Sequence, residues 1–176
     1  MLLATSDRIK MKGAMSIKKL IFTALGALLL AVTLTGCISF GATRESVTVD
    51  EFTAAAKSLS LEVNERPLDE LEHLTERGVI CSFAASRDTV SIIFSTYADS
   101  DSARSAFGFY SGGVEELFPS SPTERIDNRP TWNYHERRSR TALAVAIRID
   151  NTIFAASAET TEDVAAVDAL IAAIGY

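Results

Sequence analysis

"TALAVAIRIDNTIFAASAET", residues 141–160, holds two apolar runs on either side of Asp150-Asn151. The runs are rich in β-branched and apolar residues, and Asp-Asn is a two-residue turn signal, weaker than Asn-Gly. The stretch therefore reads as a β-hairpin. Directly after it, Thr160-Thr161-Glu162-Asp163 supplies helix-capping residues. Val164, Val167, Ile171 and Ile174 then recur at helical spacing up to Gly175. One ββα unit is thus written into the last third of the chain.

The same order occurs upstream. "GVICSFAAS" (78–86) and "TVSIIFSTY" (89–97) flank Arg87-Asp88 and read as a second hairpin. Asp99-Ser100-Asp101-Ser102 caps a helix carrying Ala103, Phe107, Tyr110, Val114 and Leu117, with Gly112-Gly113 expected to end or break it. Ahead of both units, Thr48 to Glu51 form a capping box, with Val47 and Phe52 placed for a hydrophobic staple and a helix expected over 49–59. A short helix is expected after Pro67, ending before Gly78. Residues 119–131, with three of the four prolines, read as a long loop, and "TWNYHERRSR" (131–140) as an extension of the strand after it. The expected fold is α+β in the order α-ββα-ββα, a four-stranded antiparallel sheet with helices packed on one face.

The N-terminal part is of another kind. Residues 20–34, "LIFTALGALLLAVTL", carry no charge. The run has 15 residues, where a spanning helix needs about 20. "MSIKK" (15–19) precedes it, and Leu34-Thr35-Gly36-Cys37 ends it. A basic start, a short apolar core and a small-residue exit make a secretory signal peptide. The exit resembles the lipobox of bacterial lipoproteins. That resemblance implies a diacylglyceryl thioether on Cys37, cleavage before it, and a domain anchored to the cell membrane on its extracytoplasmic side. The expected organisation is then a start at Met15 with residues 1–14 outside the protein proper, a signal peptide over 15–36, a tether over 37–46, and a single domain over 47–176. Ten extended residues reach at most about 35 Å, so the tether keeps the domain near the membrane. The mature part, with "IDNTIFA" before a helix ending in "GY", also resembles small lipoproteins of monoderm bacteria, a resemblance that implies no activity.

Charge narrows the partners. The chain carries −6 in all, and residues 1–36 carry +4, so the remainder carries −10. Such an acidic domain is a poor nucleic-acid binder. Within it, residues 125–148 hold six arginines against Asp127 and Glu136, with Trp132 and Tyr134 among them. Arg137, Arg138 and Arg140 are the candidate anion-binding residues, suited to an anionic envelope component or an acidic protein.

Motifs for chemistry are absent from the sequence. It has no G-x-S-x-G, no Gly-rich phosphate loop, and no His/Cys cluster for zinc. His73, with Glu76 three residues on, reads as part of a solvated acidic helix, and His135 as an exposed strand residue. Cys81, within "VICSFA", reads as core. No cofactor, metal or catalytic residue is assigned. The expectation is a binding or structural role at the envelope, with an envelope enzyme or an accessory subunit of an envelope complex as the alternative.

The anchor is directly testable. Cys37→Ala should abolish metabolic labelling with a fatty acid and leave the signal uncleaved. Equal labelling of variant and wild type would exclude lipidation at Cys37.

Overall fold

The computed structural model describes residues 44–87, 89–119 and 123–176. The signal segment, Cys37 and most of the expected tether lie outside them. The elements are α1 (Val49–Ser58), β1 (Glu62–Glu65), a 3-10 turn (Leu68–Leu71), α2 (Glu72–Thr75), β2 (Val79–Arg87), β3 (Val90–Tyr97), α3 (Ser100–Leu117), β4 (Thr123–Asn128), β5 (Trp132–Arg138), β6 (Leu143–Ile149), β7 (Thr152–Ala158) and α4 (Thr161–Ala173). The seven strands form one antiparallel sheet in the order β1-β2-β3-β7-β6-β5-β4.

Both hairpins form as the sequence predicts. Ile149 pairs with Thr152 across a two-residue loop in which Asp150 takes φ +49°, the left-handed region that an Asp tolerates. Around these four strands the expectation fails in two respects. The sheet has seven strands, not four, because β1, β4 and β5 join it. β1 and β4, "EVNE" and "TERIDN", are its two edges. Edge strands are kept polar and charged to discourage pairing with other chains, so neither shows the apolar alternation of a strand. β5 is a strand of its own, paired with β4 on one side and β6 on the other.

The helices also lie on both faces, not one. Along β6, Leu143, Val145, Ile147 and Ile149 join one core with Phe52 of α1 and Val164, Val167 and Leu170 of α4. Ala144 and Ala146 join the other core, with Ala103, Ala106, Phe107, Tyr110 and Val114 of α3 and with Leu71 and Leu74. Every residue of β6 is buried. A strand covered on both faces needs a layer on each. The units ββα and ββα are therefore not equivalent. The second has four strands, and its helix covers the opposite face.

Local signals explain the helices. The Thr48–Glu51 capping box is present, and Phe52 stacks on Phe94 at 4.6 Å, docking α1 on β3. α3 runs through Gly112 and Gly113 to Leu117 instead of stopping there. The segment after Pro67 shrinks to the 3-10 turn and one turn of α2, ended at Gly78, whose φ is +81°. Gly175, at φ +72°, ends α4 as expected, and the Tyr176 hydroxyl meets Thr152 Oγ1 at 2.6 Å and accepts from the Val47 backbone N–H at 3.3 Å.

Arg148 is fully buried on the α3 face of β6. It has no carboxylate in hydrogen-bond contact. Its guanidinium donates to Asn133 Oδ1 at 2.6 Å, to Ser100 Oγ at 3.1 Å, and to the carbonyls of Asp150 at 2.8 Å and Pro130 at 3.1 Å. Burial lowers its pKa. The side chain ties the β6–β7 turn, the β4–β5 turn and the start of α3 together.

Buried Asp163, in the first turn of α4, accepts from the hydroxyls of Thr89 and Thr160 and faces Arg87 at 3.6 Å. The two hydroxyls, chiefly, hold its carboxyl below the usual range. A lowered folded pKa contributes stability above the unfolded value near pH 4, lost as pH falls through the folded one. Asp163→Asn should therefore lower the melting temperature by about 3–5 °C at pH 7, and the gap to wild type should close below about pH 4. Melting curves across pH check both points.

Candidate functional site

An open groove of about 500 Å³ runs beside α3. Its floor is the α3 face of the sheet where β3 and β7 pair: Ser91 lies opposite Ser157, and Ile93 opposite Ala155. Ala144 of β6 continues it. All but Ile93 are small residues, and Ile93 and Ala155 are only half-buried. The gap has a simple origin. α3 packs mainly over β6 and less over β5, β7 and β3, and the 3-10 turn with α2 packs over the Val79 and Tyr97 end, so this stretch of β3 and β7 is only partly covered.

The helix supplies the wall. A rotation of about 100° per residue puts Gly113 on the flank toward the floor, with Phe109 and Leu117, and Gly108 and Gly112 on the outward side of the helix. A Cβ at any of the three would meet nothing within 4 Å. Packing therefore does not demand glycine, although each glycine costs a helix about 1 kcal/mol relative to alanine. Phe109 and Leu117, 51% and 58% exposed, border the groove as apolar lips. Glu116 is the one charged side chain among its lining residues.

At the inner end lies a buried polar chain. Ser82 Oγ and Ser95 Oγ are 3.0 Å apart, and Ser95 Oγ and the Tyr110 hydroxyl 3.5 Å. The Tyr97 hydroxyl is buried and makes no hydrogen bond, and burial pushes its pKa far above the phenol range.

On the opposite flank of α3, Ser111 Oγ is 2.6 Å from His135 Nδ1, and His135 Nε2 is 3.1 Å from Glu124 Oε1. His135 is 1% exposed, not the exposed strand residue that the sequence suggested. β5 is covered on both faces, and its odd-numbered residues point under α3. The hydrogen bond from Arg137 Nε at 2.9 Å, with a second contribution from His135, holds the Glu124 carboxyl below its usual range. Serine, histidine and acid stand in the order of a nucleophile relay. Acyl transfer also needs free donors for the oxyanion. Ser111 lies inside an 18-residue helix, where backbone N–H groups are spent on carbonyls one turn back. The relay joins α3, β5 and β4.

The arginines are dispersed. Arg137 and Arg138 lie on opposite faces of β5. Arg137 also donates to the carbonyls of Glu115 and Phe118, at the C-terminal end of α3. Arg138 grips both oxygens of Asp168 on α4, at 2.9 and 2.6 Å, and meets Glu136 at 3.0 Å. Arg140 is exposed in the β5–β6 turn. Arg125 stacks over Tyr134 at 5.0 Å, and Arg129 pairs with Asp127. The three candidate anion-binding residues thus share no single surface. His73 is exposed on α2 and lies 5.1 Å from the Phe109 ring. No group of three or more His, Cys, Asp or Glu side chains suited to a metal occurs among the described residues. Cys81 is half-buried instead of in the core. β1 pairs only with residues 83–86 of β2, so Cys81 lies beyond the reach of that edge strand.

Arg138→Gln should cost about 1 kcal/mol of stability in urea denaturation, because a two-oxygen grip on Asp168 is lost. Arg140→Gln should change it by less than about 0.5 kcal/mol. No model of a known protein family matches the chain, and no curated protein matches it.

Proposed function

We propose that the chain is an extracytoplasmic lipoprotein, held at a membrane through Cys37, whose folded part binds an apolar ligand in the groove beside α3. The anchor rests on the lipobox-like exit of the apolar leader. The binding role rests on one observation: the groove is open, apolar and walled by glycines that the packing does not require. Ligand sites are commonly clefts of roughly 300–1,000 Å³, mostly apolar, with a few polar groups. The groove matches that description, with the Ser91, Ser157 and Tyr110 hydroxyls as its polar groups.

An anionic partner held by the arginines has less support, because Arg137 and Arg138 already pair within the domain. The enzyme alternative draws on the Ser111–His135–Glu124 relay, which lacks donors for an oxyanion. No helix among the described residues is long and apolar enough to cross a membrane.

The described residues belong to one compact unit containing both cores, so a chain starting at residue 43 serves for binding tests. An uncharged, environment-sensitive dye should bind it saturably and fluoresce. Gly113→Leu should fill the groove, reduce dye binding at least about tenfold, and keep or raise the melting temperature, since helix propensity improves. Dye binding that this variant keeps in full places the ligand elsewhere.

A further inference from the structure

We propose that the groove holds a single extended acyl chain belonging to a lipid with an uncharged headgroup. The inference rests on the binding role above and adds the ligand's class.

Shape comes first. The groove follows α3 from Gly108 to Leu117, nine helical rises or about 14 Å. It is a trench between a helix and a sheet, which suits an extended chain better than a fused ring system. Size agrees. An apolar cavity of about 150 Å³ accommodates benzene, with six carbons. By that scale about 500 Å³ has room for roughly twenty carbons, so volume admits one chain of common length, its end projecting past the trench, and not two.

Charge selects the headgroup. No cation lines the groove, and its single charged residue is Glu116, beside the C-terminal end of α3, where the helix dipole is also negative. Arg137, the cation that touches that end of the helix, is turned to the other flank and occupied by Glu124 and the carbonyls of Glu115 and Phe118. An ionised carboxylate or phosphate would therefore meet repulsion with nothing to offset it. Hydroxyl and ester groups would instead find the side chains of Ser91 and Ser157 at the same end. A tether of ten residues would hold the start of the domain within about 35 Å of the bilayer, where such lipids are concentrated. Phe109 and Leu117, exposed on α3, offer the chain an apolar path from the surface to the floor.

Calorimetry on the chain starting at residue 43 tests the proposal, with 1-monomyristoylglycerol and myristate as probes at pH 8. The monoacylglycerol should bind one to one. Myristate, of equal chain length but ionised, should bind about threefold to tenfold more weakly. Glu116→Gln should narrow that gap, and Gly113→Leu should remove binding of both. Myristate binding as tightly as the monoacylglycerol overturns the proposal, as does unchanged lipid binding by Gly113→Leu. A dye that binds in the groove and is not displaced by monomyristoylglycerol overturns this inference and leaves the binding role standing. Absence of both dye and lipid binding overturns the two together.

Discussion

Burial of β6 on both faces is the constraint from which the rest of the architecture follows. A strand with apolar residues at every position but one cannot expose either side. It recruits α1 and α4 to one face and α3 to the other. The exception, Arg148, is fully buried without a carboxylate in contact. An unpaired buried cation is costly unless its donors are satisfied. Here the backbone of two turns and the side chains of Asn133 and Ser100 satisfy it. The same side chain thus demands that the β4–β5 turn, the β6–β7 turn and the start of α3 converge. α3 is held at its far end by Arg137 on the carbonyls of Glu115 and Phe118, and midway by Ser111 on His135. Those three anchors keep the helix chiefly over β6 and so leave Ser91, Ile93, Ala155 and Ser157 of β3 and β7 only partly covered on that face.

Much of this was legible in the sequence, and the losses have physical causes. The two hairpins, the Thr48 capping box and the Asp99 and Thr160 caps could be read because each is a local signal. The edges could not. "TERIDN" carries charge because an edge needs it, and the same charge hides the strand. The second helical layer was written in "LAVAIRI", where continuous apolar residues replace alternation. Reading the run only as a hairpin arm missed that meaning. The arginine cluster looked like a patch because it is contiguous in sequence, yet alternation along β5 sends Arg137 and Arg138 to opposite faces. His135 was misread for the same reason. The groove had one visible sign, Gly108, Gly112 and Gly113 within one helix, which reads equally well as a helix end.

Those glycines set stability against openness. Each costs the helix about 1 kcal/mol relative to alanine, and none is required by a close neighbour. α3 forms nevertheless, because Ala103, Ala106, Phe107, Tyr110 and Val114 bury a continuous stripe against the sheet. Its order comes from tertiary packing more than from intrinsic preference, as is usual for helices in proteins. The stripe itself lends Tyr110 and Val114 to the groove, while Gly113 beside them can vary without loosening the core.

The strand order also has a consequence in time. β3 pairs with β7, so residues 91–96 wait for residues 152–157 before the centre of the sheet can close. A chain emerging from its N-terminal end can make the β2–β3 hairpin early, but neither core is complete until the last third has appeared. Such distant pairing slows folding, because the chain must close a long loop before any contact rewards it. Under the proposed export through a membrane as an extended chain, that delay would be useful: the polypeptide would stay loose during passage and acquire its rigid centre only after its final strand is delivered.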